Sequence, residues 1–143
     1  MRIVAPQNVV HWEAAAAATA EAARFAEAAG IKINVAVVDA GGNLAAFLRM
    51  PGAFLHSIDI AIDKAYTAAG FGLPTAAWTE ALESHSPAVR NGIPRRPRMV
   101  CFGGGLPIRH EGFLIGGIGV SGGSEQQDES CARAGLEAIG SSA

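Results

Sequence analysis

Three polar side chains lie where they can hold a small anion. Arg49 ends an apolar segment, and Lys64 shares a helix face with Ser57, about two turns earlier. A guanidinium binds a carboxylate through paired hydrogen bonds, whereas an ammonium acts as a compact charge. We predict that Arg49, Ser57 and Lys64 contact an anionic ligand and that Lys64 is also a candidate for proton transfer. The alternative for Lys64 is a surface ion pair with Asp63 or Asp59.

Two glycine-rich segments offer backbone N–H groups to a ligand, because glycine allows close approach. One precedes a Leu-Pro pair, and the other leads into the last helix, whose free N–H groups favour an anion. We predict that the two segments form opposite walls of one pocket for a carboxylate or phosphate. The alternative is that the glycines permit tight turns and close packing. The predicted ligand-binding residues of these segments are Gly103, Gly104, Gly105, Pro107, Ser121, Gly122 and Gly123.

Two carboxylates and two histidines complete the candidate site. Asp39 ends a strand, and Asp128 lies in the first turn of the last helix, so Asp39 is a candidate ligand contact and Asp128 a candidate acid–base residue. Their alternative roles are to bond the following turn and to favour the helix dipole. His56, just before a helix, is a candidate general base, and His11 is a candidate axial haem ligand. No histidine pair has zinc spacing, so no preformed zinc site is expected.

Two familiar motifs overlap in the second glycine segment, and both lack the surrounding sequence features that their functions require. Residues 117–122 match G-x-G-x-x-G, but a dinucleotide unit needs a further strand with an acidic residue about 20 positions on. Residues 119–123 match G-x-S-x-G, but a nucleophile elbow needs a later histidine, and none follows Ser121. Neither a Rossmann site nor a hydrolase triad is therefore expected.

The elements that must position these residues alternate between helices and short strands. Composition and end signals predict helices at 9–29 before Gly30, from Ser57 as N-cap to 69 before Gly70, and from Thr75 onward. A last helix is expected after Ser124, whose spacing to Gln127 matches a capping box. Strands are expected at 33–38, 44–49, 99–102, 106–109 and 113–120.

Strands joined by tight turns, with helices segregated around them, predict an α+β fold with an antiparallel sheet in a single domain over 1–143. Residues 84–98 are rich in Pro and Arg and predict a long surface loop, either simply solvated or acting as a lid that attracts an anion. Its arginines are Arg90, Arg95, Arg96 and Arg98.

The composition excludes several partner classes. A net charge of −2 argues against nucleic acid or an anionic membrane as a partner. The first residues lack the pattern of a signal peptide, and no apolar run is long enough to span a bilayer, so a cytoplasmic protein is expected. Cys101 and Cys131 lack metal-ligand spacing and are expected to be reduced thiols.

With these elements placed, the chain resembles the GlcG/HbpS family, also called DUF336 or the haem-degrading domain, which is similar to the C-terminal domain of PduO-type proteins. The likeness runs almost end to end. Its blocks are VAVVDAGGNL at 35–44, RM at 49–50, Ser57 with KAYTA at 64–68, GGGLPI at 103–108, and IGGIGVSGG at 115–123 followed by QQD at 126–128. Two features depart from the family pattern: Pro51 stands where Asp is usual, and the loop 84–98 has no counterpart.

The resemblance implies a profilin-like fold, with an antiparallel sheet of about five strands flanked by helices, and a homo-oligomer. It also implies a small-molecule pocket, because family members bind haem or cobalamin-related tetrapyrroles or belong to small-acid catabolism.

Three functions follow from the residues and the resemblance together. The first is a module that binds haem or another anionic tetrapyrrole, with Arg49, Lys64 or the loop arginines meeting the propionates and His11 the iron. The second is a cofactor-free isomerase or lyase on a small organic acid, in which Lys64, His56 or Asp128 moves a proton. The third is a structural oligomer subunit with a vestigial pocket.

Overall fold

A computed structural model describes residues 1–141 of the chain. This part folds into one α+β unit, with two single 3₁₀ turns at Thr75–Ala77 and Ile93–Arg95. In chain order its helices and strands are α1 (Trp12–Ala28), β1 (Asn34–Asp39), β2 (Leu44–Arg49), α2 (His56–Phe71), α3 (Trp78–Glu83), α4 (Pro87–Gly92), β3 (Gly105–His110), β4 (Phe113–Ser121) and α5 (Glu125–Ala138).

The sheet is antiparallel throughout, in the order β2-β1-β4-β3, which confirms the predicted α+β class. It has four strands among the described residues, so the prediction of about five was wrong. The segment 99–102 is not a strand, because it packs on α2 instead of a neighbouring strand. The Val100 N–H donates to the Thr67 Oγ1 at 3.1 Å, and Phe102 is 46% exposed.

Helices cover both faces of this sheet. Because side chains of a strand alternate between its faces, β1 contributes residues to a core on each side. Val35 and Val37 of β1 point toward α1 and α5, whose buried alanines and Leu136 complete the larger core. Ala36 and Val38 point toward α2 and form the smaller core with its alanines.

The glycines of β4 allow α2 to lie very close to the sheet. A Cβ on Gly119 would collide with the Ala61 carbonyl oxygen, and one on Gly117 would collide with that of Ala65. The G-x-G part of the dinucleotide-like motif therefore has a packing explanation.

Two helices begin or end at residues other than those predicted. The first helix begins at Trp12 because the Val10 N–H bonds the Ile115 carbonyl, and its predicted Gly30 end is confirmed by a φ of 74°. The second helix begins at His56, so Ser57 lies inside its first turn and is not the N-cap. It runs past Gly70 and ends at Gly72, whose φ is 68°.

Thr75 does not cap a helix through its side chain, because its Oγ1 accepts from the Gly105 N–H at 2.9 Å. The predicted loop 84–98 contains α4 and a 3₁₀ turn. The capping box of Ser124 and Gln127 is confirmed. No helix among residues 1–141 has the length and apolar character needed to cross a membrane.

Candidate functional site

A buried ion pair lies at the centre of the candidate site. The Nζ of Lys64, on α2, is 3.1 Å from Oδ2 of Asp128, on α5, and it also donates to the Val120 carbonyl at 2.9 Å. The side chains are only 1% and 4% exposed. The alternative of a surface pair with Asp63 or Asp59 was wrong, because Asp63 instead accepts from Arg98.

Burial weakens the charged form of both partners. It lowers the pKa of Lys64, and the neighbouring Asp128 carboxylate offsets only part of that effect. It also raises the pKa of Asp128, against the opposing influence of Lys64 and of the backbone N–H groups of Gly122 and Gly123. Burial therefore opposes the charge on each side chain, and the ion pair offsets only part of that opposition.

Both predicted glycine segments enclose this pair. The Gly123 N–H donates to Oδ1 of Asp128 at 2.8 Å. On the other side, Gly104 has a φ of 124°, and a Cβ there would lie 2.6 Å from the Lys64 Nζ and 3.0 Å from the Asp128 Cβ. Lys64 and Asp128 occupy the space between the two segments, and both side chains are buried there.

A polar row crosses the sheet beside this pair. Asn34 of β1 lies opposite Arg49 of β2 and Ser121 of β4, and directly opposed residues share a face. Asn34 Nδ2 and Arg49 Nη2 donate to the carbonyls of Phe54 and Ala53, just before α2. The row therefore lies beneath the start of α2, where Ser57 is also buried.

Asn34 is the member of this row that the sequence interpretation missed. It is fully buried, and its Oδ1 has no hydrogen-bond partner within residues 1–141. The available signal was a lone amide at the start of an otherwise apolar strand. Since a buried acceptor costs free energy when unpaired, this oxygen suits a hydroxyl or N–H donor of a ligand.

Three predicted site residues make no hydrogen bond or ion pair to this buried cluster in the described chain. Asp39 bonds its own turn, with Oδ1 accepting from the N–H groups of Gly41 and Asn43. His56 is exposed at the first residue of α2. Pro107 lies on the edge strand β3, opposite Gly117, where proline is tolerated because no further strand pairs there.

His11 lies at the N-cap of α1, on the element that covers the other face of the sheet. Its Nδ1 accepts from the Glu13 N–H at 3.3 Å. The neighbouring Trp12 ring lies 5.7 Å away and is largely exposed. Nε2 of His11 has no partner in the described chain, so it is the ring nitrogen open to an incoming ligand.

No group of three or more His, Cys, Asp or Glu in residues 1–141 is arranged to hold a metal ion. Cys101 and Cys131 are both free thiols. Burial, with the nearby Asp128 charge, raises the pKa of Cys131 to about 11, which keeps this thiol protonated at neutral pH.

Comparison with known proteins identifies relatives along most of the chain. The family model described as "Haem degrading protein HbpS-like" matches residues 10–137. An uncharacterised 15.0 kDa protein from the dhaT-dhaS intergenic region of Citrobacter freundii is 39% identical over 125 residues, which is 85% of this chain and 88% of that protein.

Two further relatives carry more descriptive names. The corrinoid adenosyltransferase PduO of Citrobacter freundii is 35% identical over 121 residues, and the match covers 85% of this chain but 36% of PduO. The chain therefore spans only about a third of that enzyme. The solved PduOC:heme complex superposes with a TM-score of 0.85 at 31% identity, covering 94% of this chain and 97% of that one.

Proposed function

Because this chain belongs to the HbpS-like family, we propose that it binds haem or a related anionic tetrapyrrole, and that His11 would hold the iron of haem. The observation that carries the proposal is the similarity to the PduOC:heme complex, which extends over nearly the whole of both chains. Haem would supply the iron chemistry, and the protein would supply the ligand and the apolar surface around it.

The surroundings of His11 fit a flat, largely apolar macrocycle. The Trp12 ring centroid lies 5.7 Å from that of His11, and Trp12 is 66% exposed. Val9, two residues before His11, is also exposed. This exposed aromatic and aliphatic surface supports the proposal of a largely apolar ligand near His11.

The hydrogen bond of His11 couples ligation to the start of α1. Since Nδ1 accepts from the Glu13 N–H, the proton of the neutral ring lies on Nε2. Ligation through Nε2 requires that proton to move to Nδ1, which ends the capping bond. We therefore expect haem binding to loosen the first turn of α1.

Hemin titration followed by the Soret band tests this proposal. The variant His11→Ser removes the imidazole but keeps a residue that caps helices well. The matched control is His85→Ser, because His85 is exposed and its side chain makes no hydrogen bond or ion pair in the described structure. We expect saturable binding in the wild type and in the His85 variant, and loss of the shifted Soret band in the His11 variant. Absence of a Soret shift in the wild type would overturn the proposal, and an unchanged His11 variant would remove that residue as the ligand.

A second candidate function is proton transfer on a small carboxylate, which the buried contact between the Lys64 Nζ and the Asp128 Oδ2 supports. In this proposal Arg49 and Ser57 hold the acid, and the buried pair exchanges a proton with it. Lys64→Ala would leave the Asp128 charge buried and unpaired, so it tests folding as much as chemistry.

The sharper test replaces both partners, as Lys64→Met with Asp128→Leu. Exchange of the α-proton of glycolate and lactate in D₂O, followed by NMR, reports proton transfer directly. Exchange that disappears in a folded double variant supports the enzyme. Equal exchange in the wild type, the double variant and buffer would exclude it for these acids.

We also propose that the chain forms a homo-oligomer, as its family resemblance implies. Phe54 and Leu55, which precede α2, are 68% and 72% exposed and offer apolar surface for a second copy. Light scattering after size-exclusion chromatography measures the assembled mass. A monomer mass at micromolar concentration would contradict this proposal.

A further inference from the structure

A cavity of about 490 Å³ lies apart from the ion pair and from His11. It is bounded by the β1–β2 turn at Gly41 and Gly42, by the second half of α2, and by the segment from Ile93 to Met99. Its volume lies within the range of small-molecule pockets, roughly 300–1,000 Å³.

The walls of this cavity are aromatic and held in place. The Tyr66 ring is enclosed between Gly42, where a Cβ would lie 2.7 Å from Cε2, and the Arg98 guanidinium, 3.6 Å from the ring centroid. Phe71 makes an edge-to-face contact with Trp78 at 4.7 Å between centroids, yet it remains half exposed beside the cavity. Gly42 and Arg98 therefore fix the Tyr66 ring in the wall, and Phe71 offers an exposed ring surface to a planar apolar body.

The opposite wall of the cavity, formed by the segment from Ile93 to Met99, is anchored to α2 by hydrogen bonds. Thr67 Oγ1 donates to the Arg98 carbonyl at 2.9 Å and accepts from the Val100 N–H at 3.1 Å. Arg98 also pairs with Asp63 at 3.1 Å, and it keeps a left-handed φ of 64° that side chains rarely adopt. Such a strained backbone persists where the surroundings fix it, and strained residues cluster at ligand sites.

Gly70 has no packing reason to be glycine. It lies inside α2, where glycine is less favourable than alanine, and a Cβ there would meet nothing within 4 Å. Because Gly70 lines the cavity, the missing side chain leaves this wall open to a ligand.

The charge at the cavity selects the ligand class. The segment 84–98 has four arginines and no Asp or Glu, in a chain of net charge −2. Arg98 is already paired with Asp63, whereas Arg96 lines the cavity and its guanidinium has no ion pair or hydrogen bond within the described chain. An unpaired guanidinium next to aromatic walls suits a carboxylate attached to a planar ring.

We propose that this cavity is a second ligand site, which binds a small aromatic carboxylate with its ring against Phe71 and its carboxylate on Arg96. The site includes neither His11 nor the Lys64–Asp128 pair.

Binding of 2-naphthoate to the full chain tests this site, by calorimetry and by amide shifts in ¹H–¹⁵N NMR spectra. We expect saturable binding with shifts centred on Gly41, Gly70 and Arg98. Arg96→Gln should weaken binding by about tenfold or more because a charge-assisted pair is lost. Gly70→Met should abolish binding because its side chain enters the cavity.

Controls separate a built site from a diffuse positive field. Arg90→Gln changes a loop arginine that does not line the cavity and should weaken binding by less than about twofold. Uncharged 2-naphthamide should bind at least about tenfold more weakly than the acid. His11→Ser should bind 2-naphthoate like the wild type, so failure of the haem proposal leaves this one intact.

Three results would overturn the inference. They are no saturable shift with millimolar 2-naphthoate, equal weakening by Arg90→Gln and Arg96→Gln, and unchanged binding in Gly70→Met.

Discussion

Lys64 and Asp128 lie 64 positions apart in the sequence, yet their charged atoms meet 3.1 Å apart in the interior. Lys64 belongs to the helix on one face of the sheet, and Asp128 lies in the first turn of the helix on the other face. The ion pair therefore ties the two layers together at the end of β4, where the Val120 carbonyl accepts the same ammonium.

Removing one partner of this pair should destabilise the fold more than removing both. Lys64→Met or Asp128→Leu alone leaves a buried charge, which costs about 3–5 kcal/mol. The double variant buries apolar groups instead, so we expect it to be more stable than either single variant. Urea unfolding of the four proteins measures the coupling. Additive losses would show that the two side chains do not act as a pair.

Substitution of Gly104, which has close neighbours around the position of a Cβ, should destabilise the protein. In Gly104→Ala the Cβ would lie 2.5 Å from the Val120 carbonyl oxygen, in addition to adopting an unfavourable φ of 124°. Gly112→Ala is the control, because its φ of 82° is also positive but nothing lies within 4 Å. We expect a loss above about 2 kcal/mol for Gly104→Ala and about 1 kcal/mol for Gly112→Ala in denaturant unfolding. Similar losses would mean that the backbone at Gly104 relaxes freely.

The stability of the protein should fall in alkali partly through Cys131. Its pKa rises from 9.0 to about 11 on folding, so the folded state holds the thiol proton more tightly. The resulting stabilisation is complete below pH 9 and is lost as the pH rises toward 11. The limiting slope for one proton is about 1.4 kcal/mol per pH unit.

Cys131→Ala isolates this contribution, because the other titrating groups are common to both proteins. We expect the stability difference between wild type and variant to shrink from pH 9 to 11 in urea unfolding curves. A constant difference across that range would show that the thiol pKa is not raised by folding.

Thr67 should control the order of the segment that closes the aromatic cavity. Thr67→Val keeps the shape of the side chain but removes the bonds to the Arg98 carbonyl and the Val100 N–H. We expect a loss of about 1–3 kcal/mol and faster hydrogen exchange at the Val100 amide. In the control Thr19→Val, only a bond to Ala16 within the same helix is lost. Unchanged exchange at Val100 in Thr67→Val would contradict the anchoring role.

Alanine substitutions at Gly70 in α2 and Gly119 in β4 should change the stability of the protein in opposite directions. Gly70→Ala adds a methyl group in open space inside a helix and should raise the free energy of unfolding by up to about 1 kcal/mol. Gly119→Ala places a methyl group against the Ala61 carbonyl and should lower it. Thermal unfolding monitored by circular dichroism measures both. A stability loss in Gly70→Ala would show that this glycine has a packing role.

Local sequence signals located much of the fold. The Asp39 to Asn43 turn, the left-handed Gly30 and the Ser124 capping box are each encoded within about five residues, and the structure retains all three. The prediction of a strand at 99–102 was wrong because an apolar run does not specify which element it packs against. There the Thr67 hydroxyl takes the place of a neighbouring strand.

Sequence by itself determined which residue types were available to the site: Arg49, Ser57, Lys64, Asp128 and two glycine segments. Tertiary structure alone decided that Lys64 faces Asp128 instead of solvent, that the glycines enclose this pair, and that Asn34 joins a polar row. The physical reason is that helix caps and turns depend on neighbours along the chain, whereas ion pairs, strand register and cavities depend on which surfaces bury each other. The same distinction explains why the loop arginines were visible in the sequence but the aromatic cavity beside Arg96 was not.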